Sequence, residues 1–129
     1  MSELCVGIKG CCSVVAENNL TAKSMKSGTL DVLATPAVVA LAEECAWKSV
    51  QPYLSDELGT VGVAIDIKHK APTPIGRKVT CQTELTHLEG RKMAFSFCIF
   101  DDVGEVASGT HERFIVNELK FMQKAVERK

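Results

Sequence analysis

Between Thr35 and Tyr53 apolar positions recur at helical spacing, and beyond Gly59 they recur at every second residue. In the first stretch, TPAVVALAEECAWKSVQPY, nothing breaks a helix before Gln51-Pro52. Thr35-Pro36 reads as its start: a hydroxyl residue to cap the first free N–H groups, then a proline whose fixed φ suits the first helical position. Pro36, Val39, Ala40, Trp47 and Val50 follow one another at steps of three and four, and Val38, Leu41 and Cys45 form an adjacent stripe. A helix this apolar around its circumference is expected to be buried, not laid on a surface.

In GTVGVAIDIKHKAP the period is two. Val61, Val63, Ile65, Ile67, His69 and Ala71 fall on one face of a strand, and Thr60, Ala64, Asp66, Lys68 and Lys70 on the other. Pro72-Thr73-Pro74 ends it, since proline cannot donate to a ladder. Three more strands follow: RKVTCQTELTHLE, then RKMAFSFCIFD across a tight Glu89-Gly90 turn, then EVASGTHERFIVNE after Asp102-Val103-Gly104. Residues 4–16 are a plausible first strand, 17–34 an irregular connection or short helical turn, and the terminal LKFMQKAVERK a helical or frayed end. The expected class is α+β: about five antiparallel strands wrapped around one long central helix, which is the hot-dog arrangement. A ferredoxin-like fold would need a second long helix between strands, and the pattern contains none.

The chain of 129 residues fits one domain, expected over 1–129 without an internal boundary. A net charge of −1 gives no field to attract nucleic acid or an anionic membrane. No stretch approaches the roughly 20 apolar residues of a membrane helix, and Met1-Ser2-Glu3-Leu4 does not open like a signal peptide. The expectation is a soluble, cytoplasmic protein. Cys5, Cys11, Cys12, Cys45, Cys81 and Cys98 form no C-x-x-C pair or zinc-ligand spacing, and are read as reduced structural thiols. His87 and His111 lie on strands without neighbouring ligands, so no metal site is expected. Asp101-Asp102 reads as turn chemistry.

Three residues interrupt the pattern. Glu43 continues the stripe of Pro36 and Trp47, so either its carboxylate points at the sheet or it sits at the helix edge and reaches solvent. His69 ends the β-branched face of its strand, as a packed core residue or as an acid–base group that a carboxylate could orient. Thr35 is accounted for as a helix cap. Its hydroxyl would also stand at the positive end of a helix, where a developing oxyanion is favoured and a nucleophile can be activated.

Three motifs resemble a known family. Ala34 to Ala46 (ATPAVVALAEECA), Gly62 to Gly76 (a glycine, then histidine before A-P-T-P-x-G) and Gly109 to Arg113 (GTHER) are similar to the fluoroacetyl-CoA thioesterase-like hot-dog proteins. The likeness spans about residues 30–120. It implies an acyl-CoA thioesterase with Thr35, Glu43 and His69 as catalytic triad, Gly62 and Arg113 lining the acyl site, and no cofactor beyond the CoA of the substrate. It also implies a homodimer with sites at the subunit interface, so that Glu43 and His69 of one site can come from different chains. Strand alternation groups Arg113 with Ala107, Gly109, His111 and Ile115, without saying whether that face is inward. Ser24 to Leu33 contains no aromatic residue to cover a very small acyl group, so a short or medium acyl-CoA is expected. The competing functions are a hot-dog acyl-CoA hydratase or dehydratase and a non-catalytic acyl-CoA-binding protein.

Overall fold

The computed structural model describes residues 3–128; Met1, Ser2 and Lys129, which bound the terminal stretches read above, lie outside the described residues. In chain order the elements are β1 (Lys9–Val15), α1 (Thr35–Val50), β2 (Leu58–His69), β3 (Lys78–Glu89), β4 (Lys92–Phe100), β5 (Glu105–Asn117) and α2 (Glu118–Glu127). Single 3-10 turns occupy Asn18–Leu20 and Gln51–Tyr53. The five strands form one antiparallel sheet in the order β1-β3-β4-β5-β2, curled about α1. The expected hot-dog arrangement is the observed one.

Local chemistry sets the boundaries. β1 begins at Lys9 and not Leu4, because the chain turns at Gly7, whose φ of +103 favours glycine. The β3–β4 turn likewise uses the positive φ of Gly90. Asp101 accepts from the N–H groups of Val103 and Gly104, making the turn into β5. The tail forms α2, capped by the Asn117 side chain, which accepts from the Lys120 N–H at 3.1 Å.

α1 is not buried around its whole circumference, contrary to the expectation from its pattern. Ala37, Val38, Leu41, Ala42, Cys45 and Ala46 face the sheet and, with Val79, Cys81, Phe97, Ile99 and Val106, make the core. Pro36, Ala40 and Trp47 stand exposed on the other flank, with Glu43 half-buried between them. Both stripes are apolar, but the alanine-rich one lets the sheet approach more closely, and dense packing rewards that. The helix is therefore only partly enclosed within one chain. All six cysteines are free; Cys45 and Cys81 are buried, and serve the core as small hydrophobes.

A second correction concerns β2. Its pairing with β5 slips between Gly62 and Ala64, a bulge at Val63. One extra residue reverses the alternation. Thr60 and Gly62 before the bulge thus share the inner face with Ile65, Ile67 and His69 after it, while Val63 is 52% exposed. A strict period of two had placed Gly62 opposite His69. β2 is also an edge of the sheet.

Candidate active site

α1 runs antiparallel to β2, so its first residue lies beside the strand's last. The Thr35 hydroxyl and His69 Nδ1 are 2.7 Å apart. Thr35 is itself the first helical residue, with Ala34 preceding it and no side-chain cap, so its hydroxyl serves His69 and not the helix. The N–H groups of Ala37 and Val38 donate to the Ala34 carbonyl at 3.0 and 3.1 Å, which leaves the helix start fewer free donors than a capping threonine would have implied. Burial lowers the His69 pKa, and the Ala71 carbonyl works the other way. That carbonyl is near the ring, but buried Nε2 has no partner in hydrogen-bonding geometry. A ring with its proton on Nε2 leaves Nδ1 to accept from the threonine hydroxyl.

Two helical turns along, Glu43 belongs to a different group. Its Oε2 is 3.5 Å from Arg113 Nη1. Arg113 is only 6% exposed, which settles its face as inward. Thr60 clamps one edge of the guanidinium: Arg113 Nε donates to Thr60 Oγ1 at 2.8 Å and Nη2 to the Thr60 carbonyl at 2.9 Å. Burial lowers the arginine pKa and Glu43 raises it, but arginine stays cationic regardless. Gly62 forms the floor. A Cβ there would lie 2.8 Å from Glu43 Oε2 and 3.2 Å from Arg113 Nη1. A cleft of about 330 Å³ opens here, lined by Glu43, Gly62, Val63, Ala64, Ile65 and His111. A larger depression of about 720 Å³ between Pro74 and Asp102 includes none of the predicted site residues.

The five predicted residues thus form two groups in one chain: Thr35 with His69, and Glu43 with Gly62 and Arg113. Eight residues of helix separate Thr35 from Glu43, about 12 Å along the axis. Seven residues of strand separate Gly62 from His69, about 23 Å if fully extended. His111 and Thr60 were missed. His111 had been dismissed for want of metal-ligating neighbours, although its place in the GTHER stretch, two residues before Arg113, puts it on the same strand face. Among the described residues no cluster of three or more His, Cys, Asp or Glu side chains could hold a metal ion. Nor is any described helix long and apolar enough to cross a membrane.

Comparison with known proteins bears on the family and the fold. Residues 15–119 match the family described as fluoroacetyl-CoA-specific thioesterase. The fluoroacetyl-CoA thioesterase of Streptantibioticus cattleyicolor is 39% identical over 94 residues, covering 73% of this chain and 68% of that protein. The solved structure of the fluoroacetyl-CoA thioesterase FlK superposes with a TM-score of 0.93 at 30% identity, covering 99% of both chains. A hot-dog-like protein from Thermanaerovibrio acidaminovorans shares the fold, with a TM-score of 0.86 at 23% identity over 95% of this chain and 91% of its own. The chain belongs to the fluoroacetyl-CoA-specific thioesterase family.

Proposed function

We propose that this chain, as one domain over residues 1–129, is a cytoplasmic acyl-CoA thioesterase. It cleaves a short or medium acyl-CoA to free acid and CoA in sites shared between two copies. The observation that carries the reading is the 2.7 Å contact of the Thr35 hydroxyl with Nδ1 of the half-buried His69. That arrangement suits a nucleophile and its base, and family membership favours hydrolysis over hydration or mere binding.

In the first step Thr35 Oγ attacks the thioester carbon while His69 Nδ1 takes the hydroxyl proton. The collapsing intermediate breaks the C–S bond, and the proton passes to the departing CoA thiolate. A water molecule, deprotonated by Glu43 or His69, then attacks the acyl-threonine ester, releasing the acid and restoring Thr35. Positive potential for the two oxyanions comes from the start of α1 and from the Arg113 guanidinium. A second scheme has Glu43 or His69 activate water directly, with Thr35 positioning it. No step requires a cofactor.

The separation of the two groups supports the dimer. β2 is a twelve-residue edge strand whose neighbour on the helix is the uncovered flank of Pro36, Ala40 and Trp47. An unpaired edge of this length invites pairing, and a closed twofold contact provides it. Antiparallel pairing of β2 with its copy sets the His69 end of one strand against the Gly62 region of the other. Thr35 and His69 would then meet Glu43 of the partner subunit.

Complementation tests this arrangement. Glu43→Ala and His69→Ala should each lower kcat roughly 100-fold or more, the usual scale for a general base. Co-expressed, the two variants form mixed dimers in which one site has both an intact Glu43 and an intact His69. About a quarter of wild-type activity should return in a random mixture, since half the dimers are mixed and each carries one intact site. Two folded variants that stay inactive together would refute the shared site, and two that keep wild-type turnover would refute the catalytic assignment.

A further inference from the structure

His111 is buried, 2% exposed, on the inner face of β5, and both ring nitrogens are engaged. Nε2 lies 3.1 Å from Arg113 Nη1 and Nδ1 lies 2.8 Å from the Ala64 carbonyl. The partners dictate the tautomer. A guanidinium can only donate, so Nε2 must be the acceptor; a carbonyl can only accept, so Nδ1 must carry the proton. The imidazole is therefore neutral and relays from the Ala64 carbonyl, just past the β2 bulge, to the guanidinium. Thr60 already fixes the Nε–Nη2 edge of Arg113, and His111 fixes the remaining nitrogen, the one that faces Glu43 and the space above Gly62.

We propose that His111 is a positioning residue for the acyl site: as the neutral Nδ1–H tautomer, it holds Arg113 Nη1 at the angle at which the guanidinium meets the reacting acyl group. This deepens the proposed thioesterase site and rests on that reading of it. Protonation of His111 would remove the acceptor and set two cations against each other. The groups that face the ring are Arg113 from β5, Glu43 from α1, the Ala64 carbonyl from β2 and the Phe95 ring from β4 at 6.3 Å, while Glu112, on the outer face of β5, acts on it through charge alone. Desolvation, together with Arg113, favours the neutral ring, and the Ala64 carbonyl and both glutamates oppose them.

Two measurements test the proposal. Long-range proton–nitrogen correlation spectra of the wild-type protein near neutral pH should show His111 neutral with its proton on Nδ1. An Nε2–H ring or an imidazolium would overturn the relay. Second, His111→Gln places an acceptor where Nε2 stands, whereas His111→Asn reaches only as far as Nδ1, and His111→Leu supplies neither. Gln should keep kcat/KM within about threefold of wild type. Asn and Leu should lose roughly 10-fold or more, the consequence of leaving a buried donor unpaired, mainly in kcat. In an Arg113→Ala background the His111→Leu loss should largely disappear, because the two residues act as a unit. Equal activity of the Gln and Leu variants, or a full additional loss in that background, would overturn it. A wild-type protein that hydrolyses no acyl-CoA would instead refute the thioesterase reading, while the spectra still decide how His111 holds Arg113.

Discussion

Replacing Gly62 by alanine separates catalysis from stability. Its φ is not in the positive region, so the backbone accepts an L side chain. The added methyl would lie 2.8 Å from Glu43 Oε2 and 3.2 Å from both Arg113 Nη1 and His111 Cε1. Ordinary contact begins near 3.4 Å, so the carboxylate must retreat by about 0.6 Å (3.4 − 2.8) and the other two atoms by about 0.2 Å (3.4 − 3.2). Glu43 is the end of a flexible side chain, 41% exposed, and retreats at little cost. Rigidifying the unfolded chain contributes about 0.4–1 kcal/mol in the other direction. Tm should therefore stay within about 3 °C of wild type. Catalysis is less tolerant: a misplacement of about 1 Å can cost 100-fold, so the displacement of Glu43 predicts a loss in kcat/KM of roughly 10- to 100-fold. The assay is release of free CoA thiol from a panel of acyl-CoAs, with enzyme far below substrate because exposed Cys5 and Cys11 also react with thiol reagents. Gly109→Ala is the control. There the methyl would overlap the Asp66 backbone carbonyl of β2, which cannot move without breaking the ladder, so stability should fall by about 1–3 kcal/mol or more. A Gly62→Ala protein with wild-type kinetics would refute the role of Gly62 as the floor of the acyl site.

Thr35→Ser should retain activity, whereas Thr35→Ala distinguishes the two schemes: near-complete loss marks a nucleophile, modest loss a positioning role. Because the hydroxyl caps nothing and its bond to His69 is open to solvent, Thr35→Ala should cost no more than one hydrogen bond, about 0.5–1.5 kcal/mol, which thermal melting checks. The acid limb of kcat/KM should lie below the ordinary histidine range, since burial depresses the His69 pKa and the base must be neutral. Activity is then complete at neutral pH and falls as pH drops through that lowered value; a limb above about pH 7 would contradict it. Stability follows the same sign: the unfolded chain binds the proton more readily, so stability decreases as pH falls below the unfolded value of about 6.5.

Much of this was legible in the chain. The switch of period after Gly59 identifies one helix followed by four strands, because side-chain burial repeats every 3.6 residues in one and every two in the other. Interruptions of the pattern drew attention to Thr35, Glu43 and His69, and only the family resemblance added Gly62 and Arg113. What the chain could not reveal depends on distances that no period encodes. Both flanks of α1 contain apolar residues, but the sheet covers the one without a charge, leaving Glu43 on the open flank. A single extra residue at Val63 carried Gly62 onto the inner face of β2, and such a slip has no signature in alternation. The Thr35 hydroxyl turned from the helix to His69 because the antiparallel course of α1 and β2 brought the imidazole within 2.7 Å. His111 gains its partners only because β5 lies beside β2, since its hydrogen bonds run to Ala64, 47 residues away, and to an arginine that the sheet buries.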